Sequence, residues 1–266
     1  MKIFYLVLVA LLLQQPFFAQ QGLTGEFKYK AIYQLTYQPD STNTESSLNE
    51  PMVLYIGDEV SRFSSLGKAV GDSIRANANL GNRDMAAFQR LQGQLPKTEF
   101  AYDIYKQKPE GKLYFAERIA RDNLIYEENI PLMEWEMATE TKELEGYRVQ
   151  KATTSFAGRN YIGWFTTEIP VTDGPYKFSG LPGLILELRD EQNDYVFTLT
   201  DFQKLESPVP LNFKGTNLMH VEKKEFIAIK REYDLNPLAA MERSGIKIQF
   251  TPAQEAKAKR EITESF

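Results

Sequence analysis

From Phe27 to Gln38 the chain alternates, with Phe27, Tyr29, Ala31, Tyr33, Leu35 and Tyr37 on one side and Lys28, Lys30, Ile32, Gln34, Thr36 and Gln38 on the other. Only a strand turns successive side chains to opposite faces, so this two-residue repeat predicts a strand with one buried face. Strands usually run about 5 to 6 residues, and one this long belongs in a strongly twisted or curved sheet.

The same reasoning extends along the chain. After a polar stretch from Pro39 to Pro51, strands are expected at Met52–Ile56 and Val60–Leu66 about a Gly57-Asp58-Glu59 turn. Residues 68–96 break the pattern: Met85, Phe88, Leu91 and Leu95 recur at three- and four-residue spacing, which predicts a helical insertion ending before Pro96. Strand signals resume at Glu99–Tyr105 and Leu113–Ala120, joined by Lys108-Pro109-Glu110-Gly111. They continue at Asn123–Glu128, Glu134–Thr139, Tyr147–Phe156, Tyr161–Ile169, Leu184–Arg189 and Tyr195–Phe202. Short links between sequential strands favour antiparallel pairing. Glu222–Tyr233 is helical in composition, Ile246–Phe250 reads as a short strand, and Thr251-Pro252-Ala253-Gln254 opens a C-terminal helix or tail over 251–266. The fold class expected is mainly β with minor α: a curved antiparallel sheet or half-open barrel with one or two covering helices.

Lys2, the apolar run Ile3–Leu13, the Gln14-Gln15-Pro16 break and Phe17-Phe18-Ala19 follow the plan of a signal peptide over 1–19, with cleavage after Ala19 and a single β-rich domain over 20–266. A helix of that apolar run rises about 16 Å, against roughly 30 Å for a bilayer core, so no transmembrane span is expected after cleavage. The chain has no cysteine, which excludes a disulfide, a thiolate ligand and a lipid-bearing N-terminal Cys. Some 250 residues suffice to bury about 70 to 75 per cent of the unfolded surface in one core. The formal net charge of −5 argues against nucleic acid as a partner.

Catalytic patterns are sparse. His220 is the sole histidine, which excludes multi-histidine zinc sites and leaves one imidazole for any triad; a structural or surface role fits it better. Ser65-Leu66-Gly67-Lys68 spells Ser-x-x-Lys without the partner motifs of penicillin-binding enzymes. No phosphate loop or dinucleotide turn occurs, and no cofactor, metal or catalytic residue is assigned. The acidic tract Glu127, Glu128, Glu134, Glu136, Glu140, Glu143 and Glu145 is read as a solvated sheet face, and Asp190–Asp194 as a hairpin turn lacking the oxygen spacing of a calcium loop.

The sharpest local code is Gly174-Pro175-Tyr176-Lys177-Phe178-Ser179-Gly180-Leu181-Pro182-Gly183-Leu184-Ile185. Pro182 followed by Gly183 predicts a type II turn over Leu181–Leu184, with positive φ at Gly183, leading into a strand. With Trp135, Lys142, Gly146-Tyr147, Lys151-Ala152, Gly158-Arg159, Trp164-Phe165-Thr166, Glu168-Ile169-Pro170 and Gly174-Pro175, the chain from Trp135 to Leu188 resembles the GLPGLI family of secreted bacterial proteins. The resemblance implies an exported protein, periplasmic, outer-membrane-associated or extracellular, acting beside an outer-membrane receptor or an apolar or peptide ligand, and it carries over no activity.

Three functions fit these residues. The motif loop presents Tyr176, Lys177, Phe178 and Leu181, with Trp164, Arg159 and Asp173 nearby, to a partner in an accessory or binding protein. Alternatively, Asp173 and Glu168 form the carboxylate pair of an envelope hydrolase. Or Gly174, Pro175, Gly180, Pro182, Gly183, Leu184 and Ile185 are a folding device. Arg159, Lys177 and Asp173 are expected to form structural pairs, and aromatic residues at alternate strand positions fill cores more often than they touch ligands.

Overall fold

The computed structural model describes residues 23–39, 46–78, 85–211 and 218–236. The alternating segment is β1 (Glu26–Tyr37), whose Phe27, Ala31, Tyr33, Leu35 and Tyr37 are buried. It lies inside one sheet of twelve strands and divides it in two.

One half is a meander leaving β1: β2 (Leu48–Ile56), β3 (Val60–Ser65), β4 (Tyr102–Gln107), β5 (Lys112–Ile119) and β6 (Asp122–Asn129), each antiparallel to the one before. The other half returns to β1: β7 (Glu136–Leu144), β8 (Tyr147–Phe156), β9 (Arg159–Thr166), β10 (Leu184–Asp190) and β11 (Tyr195–Pro210). A short β12 (Leu218–His220) joins β6 in parallel, a pairing that antiparallel reasoning missed. The spatial order is β12-β6-β5-β4-β3-β2-β1-β11-β10-β9-β8-β7.

That order forces curvature. β6 and β7 stand ten places apart, about 48 Å in a flat sheet at about 4.8 Å per strand, yet residues 130–135 alone connect them. Seven Cα steps reach at most about 25 Å, so the two wings must curl toward each other. The sheet stays open, because its edges β12 and β7 do not pair with each other. Both edges are blunted against further pairing: β12 is short, and β7 carries Glu136, Glu140, Lys142 and Glu143.

Among the described residues three helices accompany the sheet. The 68–96 insertion is two helices, α1 (Leu66–Asn77) and α2 (Met85–Gln94). Ser65 caps α1 by accepting from Lys68 N at 3.3 Å, so the Ser-x-x-Lys string is a helix start. α3 (Lys223–Leu235) lies against β5 and β6, with Phe226 buried edge-on against Phe115 and Tyr126 at 5.4 and 5.0 Å. No described helix is long and apolar enough to cross a membrane. The expected leader 1–19, strand Ile246–Phe250 and tail 251–266 lie outside the described residues.

Candidate functional site

β9 ends at Thr166 and β10 begins at Leu184, its direct partner, so the segment 167–183 leaves the sheet and returns to the same point. Its course is set by two prolines. Val171 N donates to Ile169 O (2.7 Å) around Pro170, and Gly183 N donates to Leu181 O (2.8 Å) around Pro182, two three-residue turns that suit the fixed proline φ. Leu184 N and Ile185 N then donate to Ile169 O (3.2 Å) and Asp173 O (3.0 Å), tying the segment to the start of β10.

The type II turn expected at Leu181–Leu184 is therefore corrected. Gly183 does not adopt a positive φ; the left-handed residues here are Gly180 (φ 96°) and Tyr176 (φ 54°). Gly183 is needed because a Cβ there would stand 1.9 Å from the carbonyl oxygen of Thr166, where the segment crosses the end of β9. Gly174 plays the same part against Ile185, whose Cδ1 would meet a Cβ at 2.8 Å.

These turns fold the segment into the hollow between the wings. Phe178 and Leu181, each 1% exposed, join the main core, and Phe178 packs on Trp135 (6.2 Å), Phe156 (5.3 Å) and Tyr161 (4.6 Å). Each such side chain contributes roughly 1.5–3 kcal/mol by burial. The indole of Trp135, on the β6–β7 link, donates to Ser179 O at 2.9 Å and lies on Gly163, where a Cβ would come within 3.1 Å of the ring.

Two lysine centres fasten the segment to the other wing. Lys106, on β4 and 1% exposed, pairs with Asp173 and donates to Gly174 O (2.9 Å) and Phe178 O (3.3 Å), so its ammonium meets three acceptors. Asp173 Oδ1 also accepts from Gly174 N at 2.8 Å. Its buried Oδ2 makes no hydrogen bond and faces Lys108 Nζ at 3.6 Å. Burial pushes the Asp173 carboxyl up, but the charges of Lys106 and Lys108 outweigh it and hold the group below its ordinary value. Burial is also the main force on Lys106 and lowers its pKa despite Asp173.

Lys177 forms the second centre. Its ammonium donates to Tyr126 Oη at 3.0 Å, pairs with Glu128, and sits 5.4 Å from the rings of Phe115 and Tyr126 and 5.8 Å from Tyr176. Glu128 binds Lys223 of α3 as well, at 2.6 Å. Desolvation pushes Glu128 up, yet the two lysines win and its pKa is lowered.

The other candidates are dispersed. Arg159 pairs with Asp190 and with Asp194 (2.6 Å) and lies 5.8 Å from the Tyr195 ring, locking two hairpin turns together. Trp164 lies under Lys142 Nζ at 4.4 Å, and Lys142 pairs with Glu187 at 2.6 Å. Arg159, Lys177 and Asp173 thus each form a pair, none with another. Glu168 is exposed and accepts from Arg148 N at 3.0 Å, and no hydrogen bond joins it to Asp173 among the described residues. His220 is exposed on β12. No described group of three or more His, Cys, Asp or Glu is placed to hold a metal.

Lys106 was missed from sequence, although parity could have found it: it shares a strand face with Tyr102 and Ile104. Trp135 stood out only through the resemblance, without a role.

With this geometry in place, comparison with known proteins is informative about the fold. Residues 157–187 match a family described as a protein of unknown function (Porph_ging). The stretch runs from the turn before Arg159 into β10, covers the signature Gly180–Ile185, and is consistent with the GLPGLI resemblance. No curated protein matches the chain. Among solved structures, the fold likeness is to PNGF-II. Two of its structures, in P21 and C2 space groups, each superpose with a TM-score of 0.53 at 14% identity, covering 76% of this chain and 32% of the other. The chain thus spans about a third of the PNGF-II length, and at that identity the similarity concerns the β-rich fold alone.

Proposed function

We propose that the chain is a non-enzymatic binding or accessory protein of the cell envelope, exported by its N-terminal leader, in which the motif segment is an internal strut. The observation that carries this reading is the inward course of 167–183. Phe178 and Leu181 are spent on the core, and Asp173 and Lys177 on ion pairs to the opposite wing. A strut of this kind holds two wings of an open sheet at a set distance, leaving contact with ligands and partners to exposed surfaces.

The hydrolase alternative needs two carboxylates facing one substrate, one of them with a raised pKa. Asp173 is instead sealed and held low, and Glu168 is engaged with a backbone N–H on the surface. The test combines fractionation with an activity screen of the purified protein on ester, peptide and glycoside substrates. Recovery in the envelope fraction, shortened at the N-terminus and without turnover, is expected. Turnover by the wild type that is lost in Glu168→Gln, an exposed change that keeps an oxygen to accept from Arg148 N, would overturn the reading.

A further inference from the structure

We infer that Lys106 and Asp173 are the site of a self-formed amide cross-link, in which Lys106 Nζ condenses with the Asp173 side-chain carboxyl, releases one water and ties β4 covalently to the strut. The ion pair between them is the unreacted form of that bond. Among the described ion pairs it alone has both side chains sealed, at 1% and 0% exposure. The chain has no cysteine, so no disulfide can join its wings. The bond depends on the geometry of the strut and not on what the protein binds.

A nucleophile and an electrophile are held here in contact. Lys106 Nζ touches Asp173 Oδ1 and is fixed there by Gly174 O (2.9 Å) and Phe178 O (3.3 Å). Oδ1 in turn accepts from Gly174 N at 2.8 Å, so the carboxyl cannot swing away, and the same N–H is placed to stabilise charge on Oδ1 as Cγ becomes tetrahedral. Such mutual fixing replaces chance encounter with a standing near-approach. The other oxygen, Oδ2, is buried without a hydrogen bond and faces Lys108 Nζ at 3.6 Å. A buried polar atom left unpaired calls for an explanation, and Oδ2 is the atom that condensation removes.

The step balances within the site. Lys106 Nζ sheds two of its three ammonium protons and forms the C–N bond to Asp173 Cγ. The Cγ–Oδ2 bond breaks, and Oδ2 departs as water with those two protons, relayed by the partly exposed Lys108 ammonium beside it. Nothing is oxidised or reduced, and no co-reactant is needed. In the product the remaining N–H still donates to Gly174 O or Phe178 O, and Oδ1 keeps the Gly174 N–H. Burial drives the step forward: two charges taken out of water carry a desolvation penalty that a neutral amide does not, and the sealed site keeps out the water that would hydrolyse it.

The test is the intact mass of the full chain, purified folded and measured after denaturation, against the mass calculated from its sequence and its sequenced N-terminus. The wild type is expected to be lighter by one water, and Lys106→Met to show its full calculated mass, a readout that holds whether or not the variant folds. A tryptic map of the wild type locates the bond: residues 98–112 should appear joined to residues 160–177, with Lys106 resistant to cleavage. A wild type that stays at its full calculated mass after prolonged incubation would overturn the inference. So would a water loss that leaves trypsin cutting after Lys106, since that is the mark of a succinimide. Either failure removes the covalent bond and leaves the ion pair and the strut standing, whereas turnover lost in Glu168→Gln removes the binding reading alone.

Discussion

Gly183→Ala separates two physical accounts of the motif. If Gly183 were the left-handed corner of a type II turn, adding a methyl would carry only the conformational penalty, about 1–2 kcal/mol. In the structure its φ is ordinary and the methyl instead collides with backbone, 1.9 Å from the Thr166 oxygen and 2.6 Å from its carbonyl carbon. Restoring van der Waals contact requires the returning segment to move by roughly 1.5 Å from β9, given contact distances of about 3.5 Å. Two hydrogen bonds, Gly183 N to Leu181 O and Leu184 N to Ile169 O, are strained by that shift, at about 1 kcal/mol each. Repacking the buried Leu181, Leu184 and Ile185 adds about 1–3 kcal/mol. The expected loss is therefore about 3–5 kcal/mol. Gly180→Ala is the matched control: its φ of 96° carries the conformational penalty, but its new Cβ would meet nothing nearer than Trp135 at 3.9 Å. Equilibrium urea unfolding followed by the fluorescence of Trp135 and Trp164 measures both, with the denaturant slope checked for constancy. Gly183→Ala should exceed Gly180→Ala by about 2 kcal/mol by the sums above. Equal losses, or the reverse order, would refute the close-approach argument.

Three further outcomes follow from the same geometry. Asp173→Asn leaves the Lys106 ammonium buried beside a neutral amide and should destabilise by about 3–5 kcal/mol, whereas Lys106→Met combined with Asp173→Asn should recover part of that loss; an additive double mutant would refute the pairing. For Glu128, held below its ordinary value of 4.5, the stabilising contribution is complete above that value and fades as pH falls through the folded-state pKa. Thermal melts of wild type and Glu128→Gln should accordingly differ at pH 7 and converge below about pH 4.5, and a gap that widens on acidification would contradict the assignment. Ser65→Ala should cost about 1 kcal/mol through loss of the α1 cap, read from chemical denaturation, and no change would show the cap to be idle.

Local periodicity wrote most of the sheet. β1 and β8 needed no more than alternating side chains and flanking turn residues, because strand parity and turn chemistry are set within a few neighbours. The helical insertion showed through in Leu91 and Leu95, but its division into α1 and α2 did not, since Ser65 signals a cap only once the chain beyond it is known to be helical. The parallel pairing of β12 with β6 was invisible, because three residues carry too little pattern to declare a partner far along the chain.

At the motif the sequence by itself determined that the chain turns at Pro182-Gly183 and then enters a strand. It also determined that charged residues at 159, 173 and 177 would need partners, because unpaired ions in a β-rich core are costly. Only the tertiary structure decided who those partners are and why Gly183 is glycine. Lys106 meets Asp173 across 67 residues, and Lys177 meets Tyr126 and Glu128 across 51 and 49, because a six-residue link curls the wings around the segment. Such meetings depend on where the whole sheet bends, a property of twelve strands together that no window of neighbouring residues contains.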